Sequence, residues 1–234
     1  MKKEAESDAR TKSASGAETG REGRAPQGRT RMPREVRRAQ ILAKAGEYFS
    51  EYGLTAQTRG LAQACGVSQR LLYSFFPTKA ALLEQVYRQE IEGPFRATWL
   101  AQLRDRKVPM DQRLVTFYQA YYDQVLTRRW LRLFLFASLA EAAMAQTYID
   151  EILSDILNLI VREAAVEAGL KASRNKAENR EIAWVLHGAI SHLAIRRHIY
   201  HNANPLPVEQ VIATHVRYFL GGLRSELKAM SNKD

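Results

Sequence analysis

From Arg34 onward, apolar residues recur at the three- and four-residue intervals of one helix face. Val36, Ile41, Ala45, Tyr48 and Phe49 predict a first amphipathic helix that stops at Gly53. A short pattern through Leu61, Ala62 and Cys65 stops at Gly66, and another through Leu72, Phe75 and Phe76 starts at Ser68. Pro77-Thr78 ends that helix and opens a fourth, because proline lacks an N–H donor and a threonine hydroxyl can cap. The fourth runs through Leu82, Leu83, Val86, Tyr87 and Ile91 until Gly93-Pro94, which marks the expected domain boundary. Helix resumes through Phe95, Trp99 and Leu103.

The second half repeats the pattern over longer spans. Leu114, Phe117, Tyr118, Tyr121, Tyr122 and Val125 mark one helix face. Trp130 to Ala143 is nearly apolar all round, which predicts a buried helix. A stripe from Ile149 to Val161 ends near Gly169, and residues 171–180 are a polar connection. Ile182, Val185, Leu186, Ala189, Ile190 and Leu193 begin a helix that extends towards His201. After a turn at Asn202 to Pro207, Val208 to Leu223 carries the last. No stretch alternates as a strand does, so the expected fold class is all-α. Residues 1–33 nearly lack large apolar residues and are expected to be a disordered basic tail.

Residues 57–76, QTRGLAQACGVSQRLLYSFF, are the most specific stretch. Gly66 suits the left-handed conformation that ends a helix. Ser68 can accept a backbone N–H of the following helix. Helix, glycine turn, helix is the form of a helix-turn-helix, whose second helix fits a DNA major groove. Gln57, ahead of the first of these helices, lacks a capping hydroxyl, and Thr55 or Thr58 can cap instead.

These residues carry a resemblance. AQILAKAGEYFSEYG (39–53) and LAQACGVSQRLLYSFFPTKAALLEQVY (61–87) resemble the DNA-binding domain of the tetracycline-repressor (TetR) family. The matching marks are Phe49 to Gly53, Leu61-Ala62, Gly66-Val67-Ser68, Leu72-Tyr73, Phe76, Lys79 and Leu82-Leu83. The resemblance covers about residues 34–92. It implies an N-terminal three-helix DNA-binding domain at 34–92 and a C-terminal helical domain at 93–229 for ligand binding and dimerisation. It further implies a bacterial homodimer, usually a repressor, that a small molecule releases from a palindromic double-stranded operator.

Charge changes this picture little. The formal net charge of +10 permits a polyanionic partner. Yet Lys+Arg exceed Asp+Glu by 16 to 11 in residues 1–92 and by 19 to 14 in residues 93–234, so the excess is spread. Cys65 is the sole cysteine, which excludes an intrachain disulfide and reads as a small core residue. No run is long and apolar enough for a membrane span, and the charged N-terminus has no signal-peptide core, so a cytoplasmic, nucleoid-associated protein is expected.

The candidate DNA-binding residues are Thr58, Ser68, Gln69, Arg70, Leu71, Tyr73, Ser74 and Lys79. Arginine grips guanine O6 and N7 with two hydrogen bonds, and glutamine does the same for adenine N6 and N7. Each such pair discriminates by about 1–3 kcal/mol. Leu71 can pack on a thymine methyl. By the resemblance, Tyr73 and Lys79 hold phosphate, which sets register without reading bases. Arg70-Leu71 replaces the small residues usual in the family, and their bulk alters how closely the helix approaches DNA.

The resemblance also implies a pocket for an apolar or aromatic effector, for which Phe117, Tyr121, Trp130, Phe134 and His187 are the candidates. Plain core is the competing reading of each. His198 and His201 share a helix face, but without cysteines or enough carboxylates nearby they do not make a metal site. No cofactor is expected, and no nucleophile elbow, HExxH or phosphate loop points to an enzyme. The last two helices are the expected dimer contact, pairing as a four-helix bundle. A small-molecule enzyme or carrier with a vestigial DNA module, or a helical scaffold, are the alternative classes.

Overall fold

The structure, a computed structural model, describes residues 32–140, 143–202 and 206–231. The expectation for the tail therefore falls outside the described residues, Met32 and Pro33 apart. Among the described residues every regular element is helical.

Helix α1 (Arg34–Tyr52) buries Ile41, Leu42, Ala45 and Phe49 on one face. It ends where Gly53 takes φ +81° and donates its N–H to the Phe49 carbonyl at 3.0 Å. Helix α2 (Thr58–Ala64) buries Leu61 and Ala62. Neither expected threonine caps it. Gln57 occupies the cap position, and no side chain there accepts a hydrogen bond. The helix starts at Thr58 itself, which places that hydroxyl inside the first turn.

Gly66 turns the chain at φ +66°. Its N–H bonds the Gln63 carbonyl and that of Val67 bonds the Ala62 carbonyl, both at 3.0 Å. These two bonds close the last turn of α2 in a Schellman motif, which requires the left-handed residue. Helix α3 (Gln69–Phe75) follows, with Ser68 Oγ accepting from the Leu71 N–H at 3.1 Å. Helix α4 (Lys79–Tyr87) is capped the same way by Thr78 on the Ala81 N–H at 3.0 Å. It continues as a π turn over Arg88–Glu92, closed by the Gly93 N–H on the Arg88 carbonyl at 2.9 Å.

The remaining helices are α5 (Ala97–Arg104), α6 (Met110–Gln124), α7 (Arg128–Leu139), α8 (Ala143–Tyr148), α9 (Ser154–Glu167), α10 (Lys176–His198) and α11 (Val208–Ser231). A second π turn, Ile149–Leu153, joins α8 to α9. α6 packs against α5, α9, α10 and α11, and α10 lies along α9. The core runs without a break from Ile41 to Leu227.

The apolar stretch after Trp130 is not buried all round. α7 buries Trp130, Leu131, Leu133 and Ala137, whereas Leu139 is 82% exposed at its end. Its other face carries the long arginines that reach α1. The last helix is likewise two-sided. Val216 and Phe219 are buried within the subunit, and Tyr218 is 75% exposed.

An ion network ties α6 to α9. Arg113, 3% exposed, donates to the Leu103 carbonyl at 2.6 Å and to Glu167 at 2.9 Å, and lies 3.4 Å from Glu163. Arg106 grips Glu163 with two bonds of 2.9 Å. The Arg106 hydrogen bonds hold the Glu163 carboxyl below the usual range, against the opposing effect of burial.

Candidate nucleic-acid interface

Leu72 is the buried residue of α3 and Phe75 packs half-buried beside it, which turns the remaining side chains outward. Ser68, Gln69, Arg70, Leu71, Tyr73 and Ser74 are all exposed. They are not equally free. Ser68 Oγ serves as the cap, and Ser74 Oγ donates to the Leu71 carbonyl at 2.7 Å. The Tyr73 hydroxyl donates to Thr58 Oγ1 at 3.4 Å, which joins the start of α2 to the middle of α3. Among the described residues the side chains of Gln69 and Arg70 take no hydrogen bond and stand open to a partner.

Lys79, expected to hold phosphate, already has partners within the protein. It is half-buried, 5.9 Å above the Phe49 ring, and donates to the Ala56 carbonyl at 2.7 Å. Burial lowers its pKa. It fastens the α1–α2 loop to α4 and keeps two further N–H donors.

Two arginines missing from the sequence reading seat α3 and the turn after it. Arg34 lies 5.0 Å over Phe75 and donates to the Ser74 carbonyl at 3.2 Å. Arg38 lies 5.0 Å over Phe76 and donates to Gln85 at 3.1 Å. The arginines recur at i, i+4 on α1, a spacing that signals a shared helix face but not what it covers. Cys65 packs against the core with its thiol 3.6 Å from the Ile41 carbonyl, and burial pushes its pKa up to about 11. An inert structural thiol fits that position.

Behind this surface the effector candidates fall into two groups. Phe117 stacks on Tyr121 at 5.7 Å, and His187 meets Tyr121 edge-on at 5.5 Å. Trp130 stacks on Phe134 at 4.7 Å and 9°. Tyr148, not singled out from sequence, joins the groups. Its hydroxyl lies 3.1 Å from that of Tyr121, and its ring meets Trp130 at 5.4 Å and Phe134 at 5.8 Å. Phe134 is half-buried and the other four candidates are buried. A separate hollow of about 600 Å³ lies between α10 and α11 and opens to the outside.

α7 and α8 tie this core to the DNA-binding helices. Arg128 grips the Glu51 carboxylate, and Arg132 donates to the carbonyls of Ser50 and Glu51 at the end of α1. Arg129 donates to the Ala43 carbonyl and to Glu90, each at 2.8 Å. Gly46 makes room for it, since a Cβ there would stand 2.5 Å from the guanidinium. Trp130 Nε1 donates to the Ile91 carbonyl at 3.2 Å, and the Tyr87 hydroxyl donates to that of Met144.

No group of three or more metal-ligating side chains occurs among the described residues. His198 packs against Tyr122 at 5.5 Å with its pKa lowered by burial, while His201 is exposed. No helix among them is long and apolar enough to cross a membrane.

Comparison with known proteins gives this arrangement a family. Residues 41–86 match the profile described as "Bacterial regulatory proteins, tetR family". The curated proteins contain no match. Among solved structures, the chain resembles a TetR-like transcriptional regulator from Rhodococcus sp. RHA1 (20% identity, 82% of this chain and 100% of that one, TM-score 0.61). It also resembles AmtR from Mycobacterium smegmatis (22% identity, 82% and 89%, TM-score 0.58) and the TetR-family regulator PfmR from Thermus thermophilus (22% identity, 77% and 96%, TM-score 0.55). At these identities the structures speak for the fold, and the matched helix-turn-helix carries the rest. Residues 41–86 thus carry the tetR-family DNA-binding segment, and the chain is a DNA-binding transcriptional regulator.

Proposed function

We propose that the protein is a homodimeric repressor that binds a palindromic operator and leaves it when an apolar or aromatic effector enters the C-terminal helices. The observation that carries the DNA half is the open pair Gln69 and Arg70 on a helix held from behind by Leu72, Arg34 and the Ser68 cap. In this reading Gln69, Arg70 and Leu71 read base edges in the major groove. Thr58, Ser68, Tyr73, Ser74 and Lys79 hold phosphates and fix register. The protein acts in the cytoplasm, on the nucleoid.

The dimer forms through α10 and α11. The 600 Å³ hollow between them has Leu186, Phe219 and Leu223 at its floor and Val185 and Tyr218 on its outer side. Val185 is 69% and Tyr218 75% exposed, and a Cβ on Gly221 or Gly222 would meet nothing within 4 Å. A second copy pairing there by two-fold symmetry would cover this apolar face. It would also set two α3 helices for successive major grooves, about 34–36 Å apart.

The effector half rests on Phe117, Tyr121, Trp130, Phe134 and His187, which lie one hydrogen bond from the end of α4 through Trp130 and Ile91. Genomic DNA captured on the purified protein tests the proposal. A palindrome bound by a dimer, with a steep salt dependence, supports it. Turnover of a small molecule without site-specific DNA binding would instead support the enzyme or carrier reading.

A further inference from the structure

Two polar groups deep among the C-terminal helices have no partner. The Tyr118 hydroxyl and His187 Nδ1 are shielded from solvent and take no hydrogen bond. Tyr118 is fully buried and His187 is 4% exposed, with ring centres 6.1 Å apart. An unpaired buried donor or acceptor lowers stability, so its retention points to something that completes the bonding. The adjacent Tyr121 and Tyr148 hydroxyls already face each other. Among the described residues of this cluster, the Tyr118 hydroxyl and His187 Nδ1 are the polar atoms left without a partner.

The surroundings define what fits. Phe117 lies 4.9 Å from the Tyr118 ring, and Trp99 meets both Phe117 and Tyr121 edge-on. Such walls suit a flat ring. The nearest guanidinium on the same helix, Arg113, is already occupied by Leu103, Glu163 and Glu167. Burial lowers the His187 pKa to about 4, so the imidazole is neutral at pH 7. The same burial raises the Tyr118 phenol, which stays protonated. An anionic guest would lie unpaired against these groups at a high desolvation cost. The cluster also touches both π turns. Tyr148 directly precedes Ile149–Leu153, and Trp130, stacked at its edge, bonds to Ile91 within Arg88–Glu92. Such turns interrupt the regular helical ladder and are frequent at functional sites.

We propose that the effector is an uncharged aromatic molecule bearing a hydroxyl or carbonyl oxygen, to which Tyr118 donates and beside which His187 Nδ1 completes its bonding. This rests on the effector-released repressor reading above and names the ligand class of its site. Tyr118 and Tyr148 join the residues that form that site.

The test uses full-length protein and three probes of one ring system: 2-naphthol, 2-naphthoate and naphthalene. Binding is read by quenching of tryptophan emission and by melting temperature. 2-Naphthol should bind at least about tenfold more tightly than 2-naphthoate. Tyr118→Phe should weaken 2-naphthol about tenfold and leave naphthalene unchanged. The same variant should raise the melting temperature of the unliganded protein, because it removes an unpaired hydroxyl. Equal binding of naphthol and naphthoate, no binding of either, or an unchanged naphthol affinity in Tyr118→Phe would each overturn the proposal. So would a lower melting temperature, which would mean that a buried water already satisfies the hydroxyl. His187→Phe offers the same comparison should Tyr118→Phe not fold. DNA selection by probe-free protein is scored apart. Selection without probe binding overturns this inference alone, and probe binding without selection overturns the repressor reading alone.

Discussion

The indole of Trp130 reaches across the boundary between the two halves of the chain and donates to the Ile91 carbonyl. Its ring is stacked on Phe134 and touched by Tyr148, while its N–H is fixed to the π turn that ends α4. One side chain thus belongs both to the aromatic core and to the last turn of the DNA-binding helices. A guest that displaced the ring would also release that carbonyl.

Trp130→Phe keeps an aromatic ring but removes the donor and part of the packing. The expected cost is about 1–3 kcal/mol, from one lost hydrogen bond and a partly refilled space. Hydrogen exchange should quicken at residues 88–92 more than in α3. Equal quickening in both places would mean global loosening and would separate Trp130 from the boundary.

If Arg70 reads a base edge as proposed, Arg70→Ala should relax preference at one position in each half-site, by about 1–3 kcal/mol. Lys79→Ala should weaken all sequences alike and lower the salt slope by about one. It should also loosen the α1–α2 loop, since Lys79 holds the Ala56 carbonyl. Binding to a randomised operator pool at several salt concentrations checks both. Uniform loss on every sequence for Arg70→Ala would assign it to phosphate instead.

Tyr218→Asp places a charge on the exposed face of α11 and should split the proposed dimer while leaving a folded subunit. Val216→Asp, one face round, should unfold the subunit, because that residue is fully buried within it. Sedimentation and circular dichroism of the two variants distinguish these outcomes. A folded Tyr218→Asp dimer would put the interface on another surface.

Glu163 predicts a pH dependence. Its folded pKa lies below the ordinary 4.5, so its contribution to stability is complete above that value. It is lost as pH falls through the folded pKa. Glu163→Gln, which also leaves the nearly buried Arg113 short of a counter-charge, should cost about 3 kcal/mol at pH 7. The gap to the parent protein should narrow below pH 4.5. Urea melts from pH 3 to pH 7 measure it, and a constant gap would remove Glu163 from the acid transition.

Much of the helix-turn-helix was legible because its determinants are local. Gly66 needed its left-handed angle, and Ser68 and Thr78 found the N–H groups that their positions predict. Gln57 misled, since an extended backbone there starts α2 without a side-chain cap. Apolar period alone could not sort the faces of α10 and α11. Val185 and Leu186 read alike in sequence, yet one is 69% exposed and the other 1%. Tyr148 and the α7 arginines were hidden for a different reason. Their partners, Tyr121, Ser50 and Glu51, lie far away along the chain, and no spacing rule reaches that distance.

The π turn at Ile149–Leu153 carries a last consequence, for changes of chain length. A π turn holds one residue more than an α turn, and each residue of an α-helix turns the chain by about 100°. The turn absorbs that extra residue, whereas deleting one from the regular helix on either side would rotate α8 against α9 by about that angle. Tyr148 would swing away from Tyr121, Trp130 and Phe134, although every remaining residue was unaltered. Substitutions in this segment should therefore be milder than length changes in the helices beside it, because the residue count, more than the composition, sets which way Tyr148 faces.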